Sequence, residues 1–368
     1  MTQPGRSIDQ PLVGFNYGYW FACVNCGNRI DICSTDFKQQ CTAEAPFTVC
    51  ECGTEVDITE RSPTLRNPND VALQEELVGG LWWYHSSRYE RWPDIEAYAA
   101  DVREMVTQIR FDFVDPERVF RKKTTLALHL GTYEAAIENM LRRMHDQDVG
   151  DRGTTQYWLH RVSLCLEPGD LDPHVGAEFA TLMGDVELSE LHSQGARAVR
   201  YINVHEAVGS VSVAVDPDVI GEVATIPILD EACAVEASIT ATEAADSATT
   251  ALAEIEKLRP DTTGIADSSL RVAGLRPQPK DPDDPISVRI HALARQLAIY
   301  EHRRQEIWTE LTDIFEREYL PDINERVRDR FHGAVVRGEY PVDYHQRFRV
   351  MAGLLTQPGR VIGRFTSG

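Results

Sequence analysis

Six of the eight cysteines lie between residues 23 and 52, and this clustering constrains the first part of the chain more than any other feature. Four of them form two close pairs, in CVNCG at 23–27 and CECG at 50–53. In a reducing compartment such a cluster is more often a metal site than a set of disulfides. Each pair is followed by a glycine, which permits the backbone turn that brings amide N–H groups towards the sulfurs.

Two such turns on short hairpins can supply four thiolates at the corners of a tetrahedron. The pattern resembles a zinc ribbon and assigns a zinc-ribbon-like module to residues 1–62. A zinc ion held by four thiolates is structural, because no position remains for water. The second pair has one residue between its cysteines where two are commoner, so Cys33 or Cys41 could replace a member, and a reduced cluster or a disulfide pair is the alternative. The predicted ligands are Cys23, Cys26, Cys50 and Cys52.

The length of 368 residues predicts two or three folded units, and the formal charge of -21 argues against a chain-wide electrostatic grip on nucleic acid. The N-terminal sequence has no basic region followed by an apolar run. No stretch of eighteen apolar residues occurs either. We therefore expect a cytoplasmic protein without membrane contact.

Short apolar strands alternate with helical patterns from residue 63 to residue 230, which predicts an α+β domain. Residues 231–285 then combine an acidic, Ala-rich helix with a Pro-rich linker. Residues 286–368 form a helical C-terminal region whose first helix, predicted at 286–320, has an apolar stripe. That stripe could bind a second copy of the chain or a partner protein. Alternatively, it packs against the chain's own helices, which is the alternative we favour.

Several common catalytic motifs are absent from the sequence: GxSxG, HExxH, a Walker-type phosphate loop and GxGxxG after a strand. Three stretches of the middle domain remain as candidates for chemistry: YHSS, LALHLGTYEAA and RYINVHEAVGSVSVAV. Singly, each fits a structural role, with His85 as a satisfied core or surface histidine, His129 on a polar side of its strand, and Glu206 in an exposed turn.

Taken together and in this order, the three stretches resemble the ADP-ribosyltransferase fold over residues 78–222. The resemblance is to its His-Tyr-Glu branch, which includes diphtheria-toxin-like enzymes and poly-ADP-ribose polymerases. It implies a central split-sheet domain that uses NAD as its substrate. Because this chain has His129 where the family usually has an aromatic residue, either His129 or Tyr133 takes the middle position.

The resemblance also implies roles for individual residues. Glu206 would stabilise the positive charge that develops on the ribose as nicotinamide leaves, and could act as a base. His85 would form a hydrogen bond with a ribose hydroxyl, and His129 completes the predicted catalytic set. For the pyrophosphate, Arg88 is an alternative to Arg200. The predicted NAD-contacting residues are Tyr84, Ser86, Ser87, Thr132, Tyr133 and Arg200.

The function that follows is an NAD-dependent ADP-ribosyltransferase that modifies an unknown macromolecular acceptor, either protein or nucleic acid. Since many enzymes of this kind are toxins, a role as a toxin or defence effector is compatible with it. The alternatives are an NAD glycohydrolase, with water as the acceptor, and a non-catalytic protein that binds its partners through the zinc-ribbon-like module.

Overall fold

The computed structural model describes residues 7–42, 47–59, 61–107, 115–146, 155–178, 186–338 and 340–366, apart from the side chains of residues 41 and 42. The chain divides into two compact units. Unit 1 contains Met1–Val235, Asp322–Val336 and Val350–Gly368, and unit 2 contains Glu236–Pro321 and Arg337–Arg349. Strands and helices are both abundant, which confirms the α+β class; the four-domain division stays a prediction.

The cysteine-rich segment of unit 1 folds as two short hairpins with a helix between them. The strand pairing is antiparallel in both hairpins. Alternate side chains point inwards, so that Phe21 and Val56 are buried while their neighbours are more exposed. The elements are β2 (Tyr19–Ala22), β3 (Arg29–Ile32), α1 (Ser34–Thr42), β4 (Phe47–Val49) and β5 (Glu55–Asp57), preceded by β1 (Ile8–Asp9).

Two four-stranded sheets form the rest of the strand structure of unit 1. The first has the order β1-β6-β8-β12 and the second the order β7-β11-β10-β9. Pairing is antiparallel except between β1 and β6 and between β10 and β9. The strands are β6 (Leu81–Ser87), β7 (Leu128–Leu130), β8 (Trp158–Leu164), β9 (Leu171–Ala177), β10 (Ala198–Ile202), β11 (Val211–Val215) and β12 (Ile220–Pro227).

One buried apolar cluster joins the inner faces of these two sheets. Trp83 and Val162 contribute to it from the first sheet, and Val211 and Val213 from the second. The sheets also meet through backbone hydrogen bonds in both directions between Tyr84 and Gly131, at 2.8 and 3.0 Å. The end of β6 therefore lies beside the end of β7, where the sequence changes from apolar to polar side chains.

The helices follow the predicted distribution, and the C-terminal region is helical as expected. The long helix predicted at 286–320 spans Pro285–Tyr319 and packs within unit 2 against the chain's own helices. Among the described residues, no helix combines the length and the apolar content that crossing a membrane would require. After α1 the helices are α2 (Glu75–Val78), α3 (Ile95–Thr107), α4 (Pro116–Thr124), α5 (Tyr133–Asp146), α6 (Leu188–Ser193), α7 (Ile239–Glu256), α8 (Asp267–Gly274), α9 (Pro285–Tyr319), α10 (Glu325–Ala334), α11 (Pro341–Thr356) and α12 (Pro358–Gly363).

Candidate functional site

The four predicted metal ligands come together in the structure. The Sγ atoms of Cys23 and Cys52 are 3.6 Å apart, as are those of Cys26 and Cys50. All four sulfurs lie within 4.8 Å of one another. Metal–sulfur bonds of about 2.3 Å in a tetrahedron place the sulfurs about 3.8 Å apart, so this spacing fits a bound ion. The four cysteines could therefore hold a metal ion.

The backbone around the cluster explains why these cysteines converge. Gly27 and Gly53 have φ angles of +72° and +83°, and each donates its N–H to the carbonyl of the first cysteine of its pair. These are the tight turns predicted from the two glycines. Cys33 lies outside the cluster, because its thiol accepts a hydrogen bond from the Asp36 amide at the start of α1. The side chain of Cys41 lies outside the described residues.

The protonation of the cluster is uneven. The hydroxyl and the amide of Thr54 lower the pKa of Cys52 to about 6, which favours the thiolate at neutral pH. The amide of Cys52 lowers the pKa of Cys50, but burial and the neighbouring thiols outweigh it and raise that pKa to about 12. Because a metal ion binds the thiolate form, its binding would release the remaining protons.

His85, the first of the predicted catalytic residues, lies on β6 next to β7. Its Nδ1 atom is 2.9 Å from the carbonyl oxygen of His129. A carbonyl oxygen only accepts hydrogen bonds, so Nδ1 carries the proton. Burial, with the positive charge of Arg143, holds the pKa of His85 well below its usual value. The imidazole is therefore neutral, its Nε2 is an acceptor, and its ring stacks on Trp92 at 4.4 Å between centroids.

His129 lies on the face of the second sheet that points away from the shared core. Its Nδ1 is 2.9 Å from the hydroxyl of Tyr201 on β10. Burial raises the pKa of Tyr201 far above its usual value, and the negative charges of Glu178 and Glu206 raise it further. Tyr201 consequently keeps its proton at physiological pH. A continuous chain of polar contacts thus runs from His85 through His129 to Tyr201.

Glu206 lies in the turn between β10 and β11 and is only 7 % exposed. Its Oε1 accepts a hydrogen bond of 2.6 Å from Nε of Arg142, which lies near the end of α5. The side-chain amide of Asn203 closes the turn by donating to the hydroxyl of Ser210. Ala207, the residue after Glu206, has a φ angle of +43°, a left-handed conformation that is strained for alanine. Such strain persists only where the surroundings fix the backbone, and it is frequent at functional sites.

Residues 64–66 supply those surroundings. The Arg66 amide donates to the carbonyl of Gly209 at 2.7 Å, and its guanidinium donates to the carbonyl of Ala207, also at 2.7 Å. Gly209 has a φ angle of +80°, and a Cβ atom there would lie 2.7 Å from the carbonyl oxygen of Thr64. The backbone that follows Glu206 is therefore held in one conformation.

The structure thus joins the His85 ring to the backbone carbonyl of His129, and the His129 ring to Tyr201. Glu206 bonds Arg142, and its negative charge raises the pKa of Tyr201. The structure also places His129, rather than Tyr133, beside His85. The Tyr133 ring is 1 % exposed and its hydroxyl donates to the carbonyl of Leu354. Sequence reasoning missed the roles of Tyr201 and Arg142. Tyr201 stands inside the candidate stretch RYINVHEAVGSVSVAV, but its partner His129 lies 72 residues away, and Arg142 lies 64 residues from Glu206.

The six residues predicted to contact NAD are all buried, and each forms a hydrogen bond inside the fold. A ligand that contacted these polar groups would have to replace bonds that now hold the fold together. Arg200 shows this most clearly, since its guanidinium donates to the carbonyls of Leu73 and Pro173. The other bonds run from Tyr84 to Asp9, from Ser86 to Ala136, from Ser87 to Tyr89, from Tyr133 to Leu354 and from the Ala135 amide to Thr132.

Two surface cavities of 490 and 290 Å³ lie on unit 2. The larger is lined by α9 alone, and the smaller by α7, α9 and Leu258. None of their lining residues belongs to the predicted catalytic, NAD-contacting or metal-binding sets. We therefore assign them no role in the candidate site.

No family model matches the chain, and no curated protein or solved structure matches it either.

Proposed function

We propose that unit 1 contains the active site of an NAD-dependent ADP-ribosyltransferase, an enzyme of the glycosyltransferase class. The observation that carries the proposal is the pair of contacts from the His85 ring to the His129 carbonyl and from the His129 ring to Tyr201 on β10, with Glu206 in the strained turn that follows β10. His85, His129 and Glu206 are residues that the resemblance selected, with Tyr133 as the alternative to His129, and they come from separate parts of the chain.

In the proposed reaction, the bond between ribose and nicotinamide breaks and positive charge develops on the sugar. A fixed carboxylate stabilises that charge more strongly in the transition state than in the ground state. Glu206 is suited to this role because the turn fixes its backbone and Arg142 fixes its carboxylate. The same carboxylate can accept a proton from a nucleophilic acceptor.

His85 would orient the sugar. The carbonyl of His129 directs the proton to Nδ1, which leaves Nε2 as an acceptor for a ribose hydroxyl. The stack on Trp92 fixes the plane of the ring. Because its pKa is lowered, the imidazole stays an acceptor throughout the physiological pH range.

The test is to incubate the intact protein with NAD labelled in the adenine, together with a cell lysate. We expect label on a macromolecule, and protease or nuclease treatment then tells whether the acceptor is protein or nucleic acid. Glu206→Gln should reduce the rate of NAD consumption by about 100-fold or more, as the loss of one charge-stabilising group does. Glu222→Gln, which changes an exposed glutamate on β12, is the matched control and should leave the rate unchanged.

The other outcomes separate the alternatives. Free ADP-ribose without labelled macromolecule would identify an NAD glycohydrolase. A protein that neither binds nor cleaves NAD would refute both enzymatic functions and leave the non-catalytic binding protein. A role as a toxin or defence effector stays a prediction until the acceptor is known.

We also propose that the four-cysteine cluster holds a structural zinc ion. Four sulfur ligands at tetrahedral spacing match the ligands and the geometry that zinc prefers. The cysteines whose side chains are described form no disulfide, which supports a reducing compartment such as the cytoplasm. Elemental analysis of the purified protein should give one zinc per chain.

Self-association through the C-terminal helices is a further proposal. The long helix α9 exposes large apolar side chains, for example Ile286 and Ile299, which are 68 % and 57 % exposed. Light scattering of the intact protein as a function of concentration should show a dimer if these side chains form a contact. Replacing Ile286 and Ile299 by serine should then restore the monomer.

A further inference from the structure

The first strand of the β4–β5 hairpin in the cysteine-rich segment has an open backbone edge. The Cys50 amide donates to the carbonyl of Thr54 opposite it, at 2.9 Å. In an antiparallel pair, hydrogen-bonded and non-hydrogen-bonded residue pairs alternate, so Phe47 and Val49 belong to the non-hydrogen-bonded kind. Their N–H and C=O groups therefore point away from β5. In the described sheets, β4 pairs with β5 alone.

The side chains along this edge are apolar and exposed. Phe47 is 45 % exposed and Val49 is 64 % exposed, whereas Val56 on the opposite face is 2 % exposed. Natural proteins usually protect an edge strand with charged residues, proline or a bulge. β4 consists of Phe, Thr and Val and has no charged residue. An unprotected edge of this kind is suited to pairing with another strand.

Carboxylates lie behind the apolar row on the same face. Phe47 stands opposite Asp57, and Val49 stands opposite Glu55. Residues that stand directly opposite one another share a face of the sheet. The face therefore carries two rows, with apolar side chains next to the open edge and acidic side chains beyond them.

The surplus of negative charge extends over the whole cysteine-rich segment. Residues 19–59 contain six acidic and two basic side chains. The two basic ones are already paired within unit 1, Arg29 with Asp31 and Lys38 with Asp329. The exposed carboxylate of Glu55 is thus available to a cation from outside.

We infer that the open edge of β4 binds an extended segment of a partner protein in which basic residues alternate with apolar ones. The segment adds a third strand by hydrogen bonds to the backbone of Phe47 and Val49. The aliphatic stems of its Lys or Arg side chains cover Phe47 and Val49, and their charged ends reach Glu55 and Asp57. This inference is independent of the proposed enzymatic function, because it uses no residue of the NAD site.

The test uses the intact protein and a fluorescent peptide of sequence KVKVKVK, titrated by anisotropy. We expect saturable binding that weakens with salt, because charged pairs contribute to it. EVEVEVE should bind at least tenfold more weakly. KVKPKVK should also bind at least tenfold more weakly, since proline removes a backbone donor and disfavours strand pairing.

Variants of the protein locate the site. Val49→Ser should weaken binding of KVKVKVK, while Val272→Ser, at a similarly exposed valine of unit 2, should not. Glu55→Lys should weaken KVKVKVK and strengthen EVEVEVE, which loss of folding could not do. Absence of peptide binding, equal binding of the proline peptide, or an unchanged affinity in Val49→Ser would each overturn the inference. Binding of single-stranded DNA to the hairpin in place of the peptide would also overturn the inference.

Discussion

Gly209→Ala tests whether the backbone next to Glu206 is held as tightly as the structure shows. A Cβ atom at this position would lie 2.7 Å from the carbonyl oxygen of Thr64 and 2.9 Å from the amide nitrogen of Arg66. Both are backbone atoms, so no side-chain rotation relieves the contact. The turn and residues 64–66 would have to move apart, which would break the hydrogen bond from the Arg66 amide to the Gly209 carbonyl.

The expected loss of unfolding free energy in Gly209→Ala can be worked out from these contacts. A left-handed φ costs alanine about 1–2 kcal/mol, partly offset by about 0.4–1 kcal/mol from the lower entropy of the unfolded chain. The broken hydrogen bond adds about 1 kcal/mol, and the displaced backbone adds about 1 kcal/mol more. Gly195→Ala is a matched control, because Gly195 has a φ of +74° and its Cβ would meet nothing within 4 Å. The difference between the two variants should therefore be about 1–3 kcal/mol.

Urea unfolding followed by tyrosine and tryptophan fluorescence gives the free energy of unfolding for both variants. Under the proposed function, Gly209→Ala should also lower NAD consumption by about 100-fold, since a carboxylate displaced by about 1 Å loses its alignment. Gly195→Ala should keep the full rate. Equal free energies of unfolding for the two variants would refute the close approach of residues 64–66 to the turn.

Three further outcomes are expected. Cys50→Ser should lower the zinc content below one per chain and destabilise the β4–β5 hairpin, as measured by elemental analysis and hydrogen exchange. Burial lowers the pKa of His160 to about 4, so the neutral imidazole contributes fully to stability above pH ~6.5, and this contribution is lost as the pH falls towards 4. In urea titrations at different pH values, His160→Gln should remove about 3 kcal/mol of this loss of stability in acid. The control His174→Gln, at an exposed histidine, should not. Glu138→Ala should cost about 3–5 kcal/mol of unfolding free energy, because it leaves the guanidinium of Arg330 without its buried partner.

The metal cluster could be predicted from the sequence because its geometry is local. In each pair, one or two residues separate the cysteines, and the glycine after the pair sets the turn. Both features are visible in the sequence itself. The exclusion of Cys33 from the cluster could not be predicted from the sequence. It depends on the start of α1, where the thiol of Cys33 accepts a hydrogen bond from the Asp36 amide.

The polar contacts of the candidate NAD site could not be predicted in the same way. Arg142 and Glu206 are 64 residues apart, and His129 and Tyr201 are 72 residues apart. Such pairs are produced by the packing of α5 and the pairing of β7, β11 and β10, and they leave no fixed spacing in the sequence. Individual residues could be chosen as candidates, but their partners could not.

The structural role of Arg200 could have been predicted from strand periodicity. Side chains two residues apart on a strand share a face, so Arg200 lies on the same face as Ala198. Ala198 is fully buried in the core between the sheets. An arginine at that position is more often a structural residue that satisfies buried carbonyls than a residue that binds phosphate. Its observed bonds to the carbonyls of Leu73 and Pro173 are of this structural kind.

The helix α5, which carries Arg142 of the candidate site, also forms hydrogen bonds with residues near the N-terminus and with Arg330 in the C-terminal part of the chain. Its Glu134 accepts hydrogen bonds from the amides of Val13 and Gly14. Its Glu138 is fully buried and bonds both Tyr17 and Arg330.

A fragment of residues 63–230 would keep these two carboxylates and lose all four of their partners. It would also lose α10, which packs directly on α5, so the face of α5 that these segments cover would be exposed to water. A typical domain has only about 5–15 kcal/mol of stability, so this loss is large relative to the whole. We therefore expect the fragment to lack cooperative urea unfolding and dispersed amide resonances, whereas the intact chain shows both. A folded, cooperative fragment would show that α5 does not need these contacts, and that the site assembles from the central segment alone.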